Sequence, residues 1–265
     1  MWNIILAVII VGVIGLIFGL LLSFAAVIFK VEVDEREDKI LEILPGANCG
    51  ACGFAGCSAY AGAVVNEGAK ANLCSVGKAA VAQKIAEIMG VEAQSGDDVV
   101  ARVMCNGTCD VSKDKYTYFG ISDCIAASKL GGGPKSCPNG CLGLGSCLKV
   151  CKFDAIKIIN GVATIDEEKC VGCSQCVSEC PKHIISLVPK QNKYYVQCVN
   201  TEKGALTNKY CSVGCIGCKK CEKACPKGAI KVIDNVAKID YSLCTACGLC
   251  AEECPKKIIK TENHQ

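Results

Sequence analysis

The sequence predicts an α+β chain with three parts: a single N-terminal membrane helix, a small cysteine-rich module, and a tandem repeat of short helices and strands. Three observations lead to this prediction: an apolar run without charges near the N-terminus, 25 cysteines among 265 residues, and cysteines that recur 74 positions apart. Aromatic residues make up only 5% of the chain, so we do not expect a large core built on Phe and Trp. Small modules of this composition gain folding energy from a bound inorganic centre instead.

The N-terminal helix is predicted from residues 4–29, which carry no charge over 26 positions. As a helix this run would be roughly 39 Å long at about 1.5 Å per residue, enough to cross a bilayer core of about 30 Å with some tilt. A cleaved secretory signal is the alternative, but no Lys or Arg precedes the run, and the run is longer than a usual signal core. We therefore expect a retained anchor, with Trp2 at the membrane interface.

The charges around this span predict its orientation. Lys30, Arg36 and Lys39 follow the span, and no basic residue precedes it. The positive-inside rule therefore places the C-terminal bulk in the cytoplasm, where thiols stay reduced. Gly15 and Gly19 form a small-xxx-small pattern that would let another membrane helix approach closely, although glycine is also common in membrane spans.

The spacing of the cysteines indicates metal binding rather than disulfides. Many of them occur in C-x2-C runs, where two thiols rarely meet the geometry of a disulfide but can share one metal centre. Their number is odd, and the predicted cytoplasmic location disfavours disulfides as well.

The first cysteine group lies in the stretch LPGANCGACGFAGC, which begins at Leu44. Its glycines let the backbone fold tightly around a cluster and bring N–H groups near sulfur. Residues 58–73 are long enough for a helix that returns one more cysteine to the group. Four thiolates also suit zinc, but the glycines and the motifs that follow favour an iron–sulfur cluster. The predicted ligands are Cys49, Cys52, Cys57 and Cys74.

The remainder of the chain contains a repeat of 74 residues, which sets its architecture. The segment AIKIINGVATID at 155–166 matches AIKVIDNVAKID at 229–240. Nine cysteines recur at the same offset: those at 124, 137, 141, 147, 151, 170, 173, 176 and 180 return at 198, 211, 215, 221, 225, 244, 247, 250 and 254.

Each copy holds two units of the form C-x2-C-x2-C-x3-C, set 29 residues apart and usually followed by Pro and a short apolar strand. This is the run of bacterial ferredoxins, in which the fourth cysteine binds the other [4Fe–4S] cluster of a pair. Two quartets are predicted in copy two: Cys215, Cys218, Cys221 and Cys254 form one, and Cys225, Cys244, Cys247 and Cys250 form the other. In copy one, a complete quartet consists of Cys151, Cys170, Cys173 and Cys176.

The second site of copy one lacks a sulfur, because Leu144 stands where copy two has Cys218. Either this site is a three-cysteine centre or a nearby thiolate replaces the missing ligand. We expect replacement by the adjacent Cys137, although copy two has the equivalent Cys211 without a vacancy. The predicted set is Cys137, Cys141, Cys147 and Cys180.

The remaining cysteines leave room for one more centre. Cys105, Cys109 and Cys124 would make a quartet with Cys137, in competition with the replacement above. We therefore expect at least five [4Fe–4S] clusters, or six if this centre exists. The expected segments are an anchor at 1–30, a glycine-rich [4Fe–4S] module at 31–91, a connector at 92–133, and ferredoxin-like pairs at 134–190 and 191–265.

The order of these features, one span, then NCGACGFAGC, then C-x2-C-x2-C-x3-CP runs, resembles the B subunit of the Rnf complex over essentially the whole chain. The resemblance is to a long form with doubled ferredoxin pairs. It implies a subunit of a cytoplasmic-membrane enzyme that oxidises reduced ferredoxin, reduces NAD⁺, and couples electron flow to translocation of Na⁺ or H⁺. The subunit itself would accept electrons from soluble ferredoxin and relay them through [4Fe–4S] clusters to other membrane subunits.

The same resemblance places the nicotinamide and flavin sites in other subunits, and no G-x-G-x-x-G motif or P-loop contradicts this division. We expect no catalytic side chain in this chain. An iron–sulfur subunit of another membrane dehydrogenase or hydrogenase, a subunit that reduces a redox sensor, and a zinc-stabilised scaffold are the alternatives.

Charge is unevenly distributed, with 20 Lys, no Arg and 12 acidic residues from Cys124 to the C-terminus. These lysines balance the negative charge of thiolate-bound clusters, or they form a docking surface for an acidic partner. The absence of an arginine cluster with interleaved aromatics argues against nucleic acid. Ferredoxin docking is expected where lysines surround one ligand run, at Lys219, Lys220, Lys223 and Lys227.

Overall fold

The computed structural model describes residues 2–28, 34–92 and 98–261. Helix α1 covers Trp2–Ile28, and 22 of its residues, Ile4–Ala25, have a mean hydropathy of 3.2. No part of the described chain packs over this apolar segment. Length and composition would allow α1 to cross a membrane. Phe29 and Lys30, which belong to the predicted span and its basic flank, lie outside the described residues.

Three helices form the module after the span: α2 (Glu35–Ile43), α3 (Cys57–Asn66) and α4 (Lys78–Met89). Asp34 caps α2 by accepting a hydrogen bond from the Arg36 amide at 2.8 Å. The helices bury Ile40, Tyr60 and Ile85 against one another. Each such side chain contributes about 2 kcal/mol of hydrophobic stabilisation.

The two copies of the repeat fold as two similar units of short helices and two-stranded antiparallel sheets. The first unit contains β1 (Val99–Val103), α5 (Cys124–Ser128), α6 (Ser146–Lys149), β2 (Ile156–Ile159), β3 (Val162–Ile165), α7 (Gln175–Glu179) and β4 (Ile185–Pro189). The second contains β5 (Tyr195–Val196), α8 (Gly204–Tyr210), α9 (Lys220–Ala224), β6 (Ile230–Ile233), β7 (Val236–Ile239), α10 (Leu249–Glu252) and β8 (Ile259–Lys260).

The 74-residue offset holds for five pairs of elements. Helices α6 and α7 return as α9 and α10, and strands β2, β3 and β4 return as β6, β7 and β8. In both units the second and third strands form a hairpin, β2 with β3 and β6 with β7. The helices have only four or five residues each, too few for an isolated helix to be stable, so their packing around the cysteines must hold them.

The first strands of the two units, β1 and β5, are not 74 residues apart. Strand β1 pairs with β4, and Val103 faces Ile185. Strand β5 pairs with β8, and Val196 faces Ile259. Because Ile185 and Ile259 are 74 positions apart, Val103 and Val196 are structural equivalents that lie 93 positions apart. The residues of β1 lie in the segment 92–133, which was expected to be a connector between domains, and they pair with β4 of the first unit.

A buried arginine joins the two units. Arg102 on β1 is 1% exposed; its Nη1 donates to the Asn192 carbonyl at 2.5 Å, and its Nη2 donates to Glu167 Oε2 at 2.9 Å. The guanidinium also lies 4.8 Å from the ring centroid of Tyr195 on β5. This side chain therefore fixes β5, the first strand of the second unit, against the first unit.

Candidate iron–sulfur sites

The glycine-rich module brings its four predicted ligands to one end of α3. Cys57 is the first residue of that helix, and its amide donates to Asn48 Oδ1 at 2.8 Å. Buried Tyr60 holds the returning segment, since its hydroxyl donates to the Lys70 carbonyl at 2.7 Å and accepts from the Leu73 amide at 3.3 Å. Burial raises the pKa of the Cys74 thiol, and the charges of Cys57 and Cys49 raise it further. Cys74 therefore lies close to the CGACGFAGC turn.

Copy two contains two cavities that are each lined by four cysteines. One has a volume of about 350 Å³, and the other about 390 Å³. The first is lined by Cys215, Cys218, Cys221 and Cys254, and the second by Cys225, Cys244, Cys247 and Cys250. These are the two sets predicted from the ferredoxin spacing, including the exchange of the fourth cysteine between runs.

The backbone in copy two is arranged to stabilise thiolates. Burial raises the pKa of Cys225, but N–H groups at Lys227 and Ala229 and at two further positions outweigh burial and lower the pKa overall. Elsewhere in this unit, the Ala246 amide donates to Cys244 Sγ at 3.5 Å. Such N–H to sulfur contacts are a means by which proteins stabilise iron-bound thiolates.

The complete quartet of copy one also converges. Burial raises the pKa of Cys176 to about 12, and the next contributions come from the charges of Cys170 and Cys173 and then of Cys151. The Ala101 amide on β1 donates to Cys170 Sγ at 3.4 Å. Strand β1 thus supplies a hydrogen bond to this site from outside the ferredoxin run.

The module contacts this copy-one quartet directly. Gln175 Nε2 donates to the Cys49 carbonyl at 2.5 Å, and Lys152 Nζ donates to the Ala47 carbonyl at 3.2 Å. The charge of Cys49 also contributes to the raised pKa of Cys173, after the larger effect of burial. The Cys49 site and the Cys173 site are therefore neighbours.

At the site with Leu144, the thiol next to Cys147 is that of Cys124 rather than that of the predicted Cys137. Cys141, Cys147 and Cys180 are all buried there. The Cys124 amide donates to Ser146 Oγ at 2.7 Å, which places α5 beside Cys147. Burial raises the pKa of the Cys147 thiol to about 12, and the charge of Cys124 is the next largest cause.

Cys137 was expected to replace the missing sulfur, but the structure places it in another cavity. That cavity measures about 380 Å³. Burial raises the pKa of Cys137 to about 11, and the charges of Cys105 and Cys211 raise it further. The connector folds back between the units, so Cys137 faces copy two rather than the Leu144 site. The cavity is lined by Cys105, Cys137, Cys198 and Cys211.

The predicted grouping of Cys105, Cys109 and Cys124 is not brought together. Cys109 is exposed and lies against Gly161, while Cys124 lies beside Ser146 and Cys105 is buried between the units. Sequence reasoning also missed Cys198 and Cys211 as candidate ligands. A signal existed, because Cys105 and Cys198 each stand two residues after an apolar strand.

The cysteine cavities fit a polynuclear centre better than a single ion. Within 2–28, 34–92 and 98–261, no three His, Cys, Asp or Glu side chains lie close enough to hold one metal ion. None of the 25 cysteines, all of which are described, forms a disulfide. Four sulfurs that line one cavity, with backbone N–H donors, suit a [4Fe–4S] cube.

Comparison with protein families gives three matches along the chain. Residues 44–76 match a family described as "Putative Fe-S cluster", residues 163–186 match a "4Fe-4S binding domain", and residues 214–258 match a "4Fe-4S dicluster domain". These segments coincide with the glycine-rich module, the second half of copy one, and copy two.

Curated relatives match most of the chain. It is 47% identical to the B subunit of the Na⁺-translocating ferredoxin:NAD⁺ oxidoreductase complex of Acetobacterium woodii, over 89% of this chain and 71% of the relative. The chain is 45% identical to the B subunit of the proton-translocating ferredoxin:NAD⁺ oxidoreductase complex of Clostridium ljungdahlii, over 92% of this chain and 87% of the relative. It is 38% identical to the B subunit of the ion-translocating oxidoreductase complex of Methanosarcina acetivorans, over 88% of both chains.

Proposed function

The chain belongs to the family of B subunits of ion-translocating ferredoxin:NAD⁺ oxidoreductase (Rnf) complexes, and from this premise we propose that it is the electron-relay subunit of such a complex. In this function it accepts electrons from reduced ferredoxin and passes them to membrane subunits. Those subunits, rather than this chain, carry the NAD⁺ site and the ion path, because one apolar helix cannot enclose a path for ions.

The observation that carries this proposal is the convergence of cysteines on several separate sites in one continuous protein. Five quartets are proposed as [4Fe–4S] ligands: the module set, the complete copy-one set, the Leu144 site, and the two copy-two sets. Each bound cluster would take up and release one electron at a time. Their close succession, with the Cys49 site beside the Cys173 site, suits a relay.

At the Leu144 site we assign the fourth ligand to Cys124 in place of the predicted Cys137. The assignment rests on α5, where Asp123 caps the helix by accepting from the Ala126 amide at 2.8 Å and also accepts from Ser146 Oγ at 3.0 Å. These bonds hold Cys124 next to Cys147. The proposed set is Cys124, Cys141, Cys147 and Cys180.

Helix α1 is proposed as a single membrane anchor with the remaining chain in the cytoplasm. Its apolar side chains are exposed, with Leu22 at 70% and Trp2 at 78%. A methyl group added at Gly15 or Gly19 would meet nothing within 4 Å, so these positions are open to a helix of another membrane protein. Arg36 and Lys39 follow the helix and agree with the positive-inside rule.

Ferredoxin docking is proposed at the exposed lysines of α9 and its flanks. Lys219 and Lys220 begin the helix beside exposed Cys218, and Lys223 and Lys227 follow on the same segment. A cluster of positive charges at the mouth of a cluster site would raise the encounter rate with an acidic donor.

The experiment that tests this function is anaerobic purification of the chain within its complex, with iron and zinc analysis and an electron-transfer assay. We expect about four irons for each occupied quartet, little zinc, and NAD⁺ reduction that depends on reduced ferredoxin. Stoichiometric zinc without iron, or NAD⁺ reduction that is unchanged when this subunit is deleted, would contradict the proposal.

A further inference from the structure

We propose that Cys105, Cys137, Cys198 and Cys211 bind a further [4Fe–4S] cluster that bridges the two ferredoxin-like units. The inference rests on the proposed electron relay but assigns a site outside the ferredoxin runs, and it needs ligands from both units. None of the matched family segments contains any of these four cysteines.

The cavity that these cysteines line is the same size as the two copy-two cavities. It measures about 380 Å³, compared with about 350 Å³ and 390 Å³ for the ferredoxin quartets. Cys105, Cys137 and Cys211 are buried, and Cys198 is half-buried. A larger cavity between the units, of about 870 Å³, has only one cysteine in its lining. In size and in the number of lining cysteines, the 380 Å³ cavity therefore resembles the two copy-two sites.

The four cysteines are related by the internal repeat, two from each unit. Cys137 and Cys211 are equivalent at the 74-residue offset. Cys105 and Cys198 are equivalent through their strands, since each follows by two positions a valine that faces the last strand of its unit. The residue before each of these two cysteines also makes an equivalent backbone hydrogen bond. The Met104 amide donates to the Ile184 carbonyl at 2.6 Å, and the Gln197 amide donates to the Ile258 carbonyl at 2.8 Å.

This equivalence corrects the apparent match of Cys124 with Cys198 at the 74-residue offset. The segment between Cys105 and Cys137 is longer than the segment between Cys198 and Cys211, and the extra length carries Cys124. Cys124 therefore has no structural counterpart in copy two. It is available to the Leu144 site, while Cys105 takes the place that corresponds to Cys198.

Backbone donors reach the sulfurs of this cavity from both units in the same pattern. The Gly107 and Cys141 amides each donate to Cys105 Sγ at 3.4 Å. The Cys215 amide donates to Cys198 Sγ at 3.4 Å. Cys141 and Cys215 open the ferredoxin runs of the two copies, so each run is hydrogen-bonded to a sulfur of the bridging site. The site thus lies between the Cys141 site and the Cys215 site.

The connector closes the cavity and brings a positive charge to it. Ser112 of the connector forms an antiparallel backbone β-bridge with Cys211, and the Lys113 amide donates to the Tyr210 carbonyl at 2.9 Å. Lys135 is 4% exposed, and its Nζ lies 3.3 Å from Asp114 Oδ1. A buried cation beside four thiols is suited to a site whose ligands are thiolates.

The test measures iron and acid-labile sulfide per chain in the full-length protein purified without oxygen, and it records the EPR spectrum after reduction with dithionite. With six occupied quartets the wild type should hold about 24 irons, and Cys211→Ala should hold one to about four fewer. Cys109→Ala, which removes an exposed cysteine outside every quartet, is the matched control and should keep all the iron. A Cys211→Ala variant with the iron content and the EPR spectrum of the wild type would overturn the proposal.

If Cys211→Ala fails to fold, Cys137→Ser decides the question, since serine keeps a potential oxygen ligand. One cluster should then change its EPR spectrum while iron stays near the wild-type value, whereas an unchanged spectrum would overturn the bridging site. About 20 irons in the wild type would overturn this site and leave the proposed relay intact. A wild type without iron would remove the proposed function itself.

Discussion

The two copies of the repeat differ in how they complete their sites. Copy two takes its two quartets entirely from its own ferredoxin runs, and Cys218 and Cys247 are exposed. Copy one has Leu144 in place of a cysteine, and we propose that Cys124 of the connector supplies the missing sulfur; Cys141, Cys147 and Cys180 of that site are buried. If this assignment is right, an insertion elsewhere in the chain has replaced a lost ligand. In the proposed relay, copy two would be the exposed end, which suits docking, and the Leu144 site of copy one would lie in the covered interior.

The largest expected effect concerns folding without iron. The cores of both copies include cysteines among their packed residues, and the helices beside them have four or five residues. We expect anaerobic removal of iron by a chelator to abolish cooperative thermal unfolding of 98–261, because metal binding and folding are coupled in such modules. Circular dichroism during heating measures this. Retention of the same transition midpoint by the iron-free protein would contradict the coupling.

The difference at Leu144 predicts the next effect. Cys124→Ala should lower the iron content by one to about four irons per chain, because one iron of the cluster then lacks a protein thiolate and that iron, or the whole cluster, is lost. Cys109→Ala is the control. The double variant Cys124→Ala with Leu144→Cys should recover the wild-type iron content, since it gives copy one the ligand pattern of copy two. Full iron in Cys124→Ala alone, with an EPR spectrum equal to that of the wild type, would show that Cys124 is not a ligand.

A smaller effect is expected at the interface between the copies. Arg102→Met leaves Glu167 and two backbone carbonyls without their buried donor, so we expect a loss of about 3 kcal/mol in the free energy of unfolding. Lys78→Met, which breaks the exposed ion pair with Asp98, should cost less than about 1 kcal/mol. Denaturant unfolding of the iron-loaded protein compares the two variants. Equal losses would mean that Arg102 does not join the units.

The smallest effect concerns the exposed end. Replacement of Lys219, Lys220, Lys223 and Lys227 by Gln should lower the rate of electron transfer from ferredoxin about tenfold at low salt and weaken its salt dependence. Lys157 and Lys169 are exposed lysines of copy one and serve as the matched control. The measurement is stopped-flow reduction of the complex at several ionic strengths. A rate and salt dependence equal to those of the control would place docking elsewhere.

The sequence predicts which cysteines of the module and of copy two lie together, but it does not predict the groups formed by long-range contacts. Ligands that are close in the chain, such as those of the module and of copy two, follow from spacing alone. The bridging cavity depends on tertiary contacts: β1 pairs with β4 across more than 80 residues, and β5 pairs with β8 across more than 60. No local spacing predicts such pairing, so Cys105 and Cys198 were not grouped. Cys124 was matched with Cys198 because an insertion happened to preserve one offset.

The most direct test of the account is a cryo-EM map of the complex prepared without oxygen. We predict cube-shaped iron density inside each of six cysteine quartets, including one enclosed by Cys105, Cys137, Cys198 and Cys211 and one bound by Cys124 beside Leu144. Disulfide bonds or single-ion density within the quartets would contradict it.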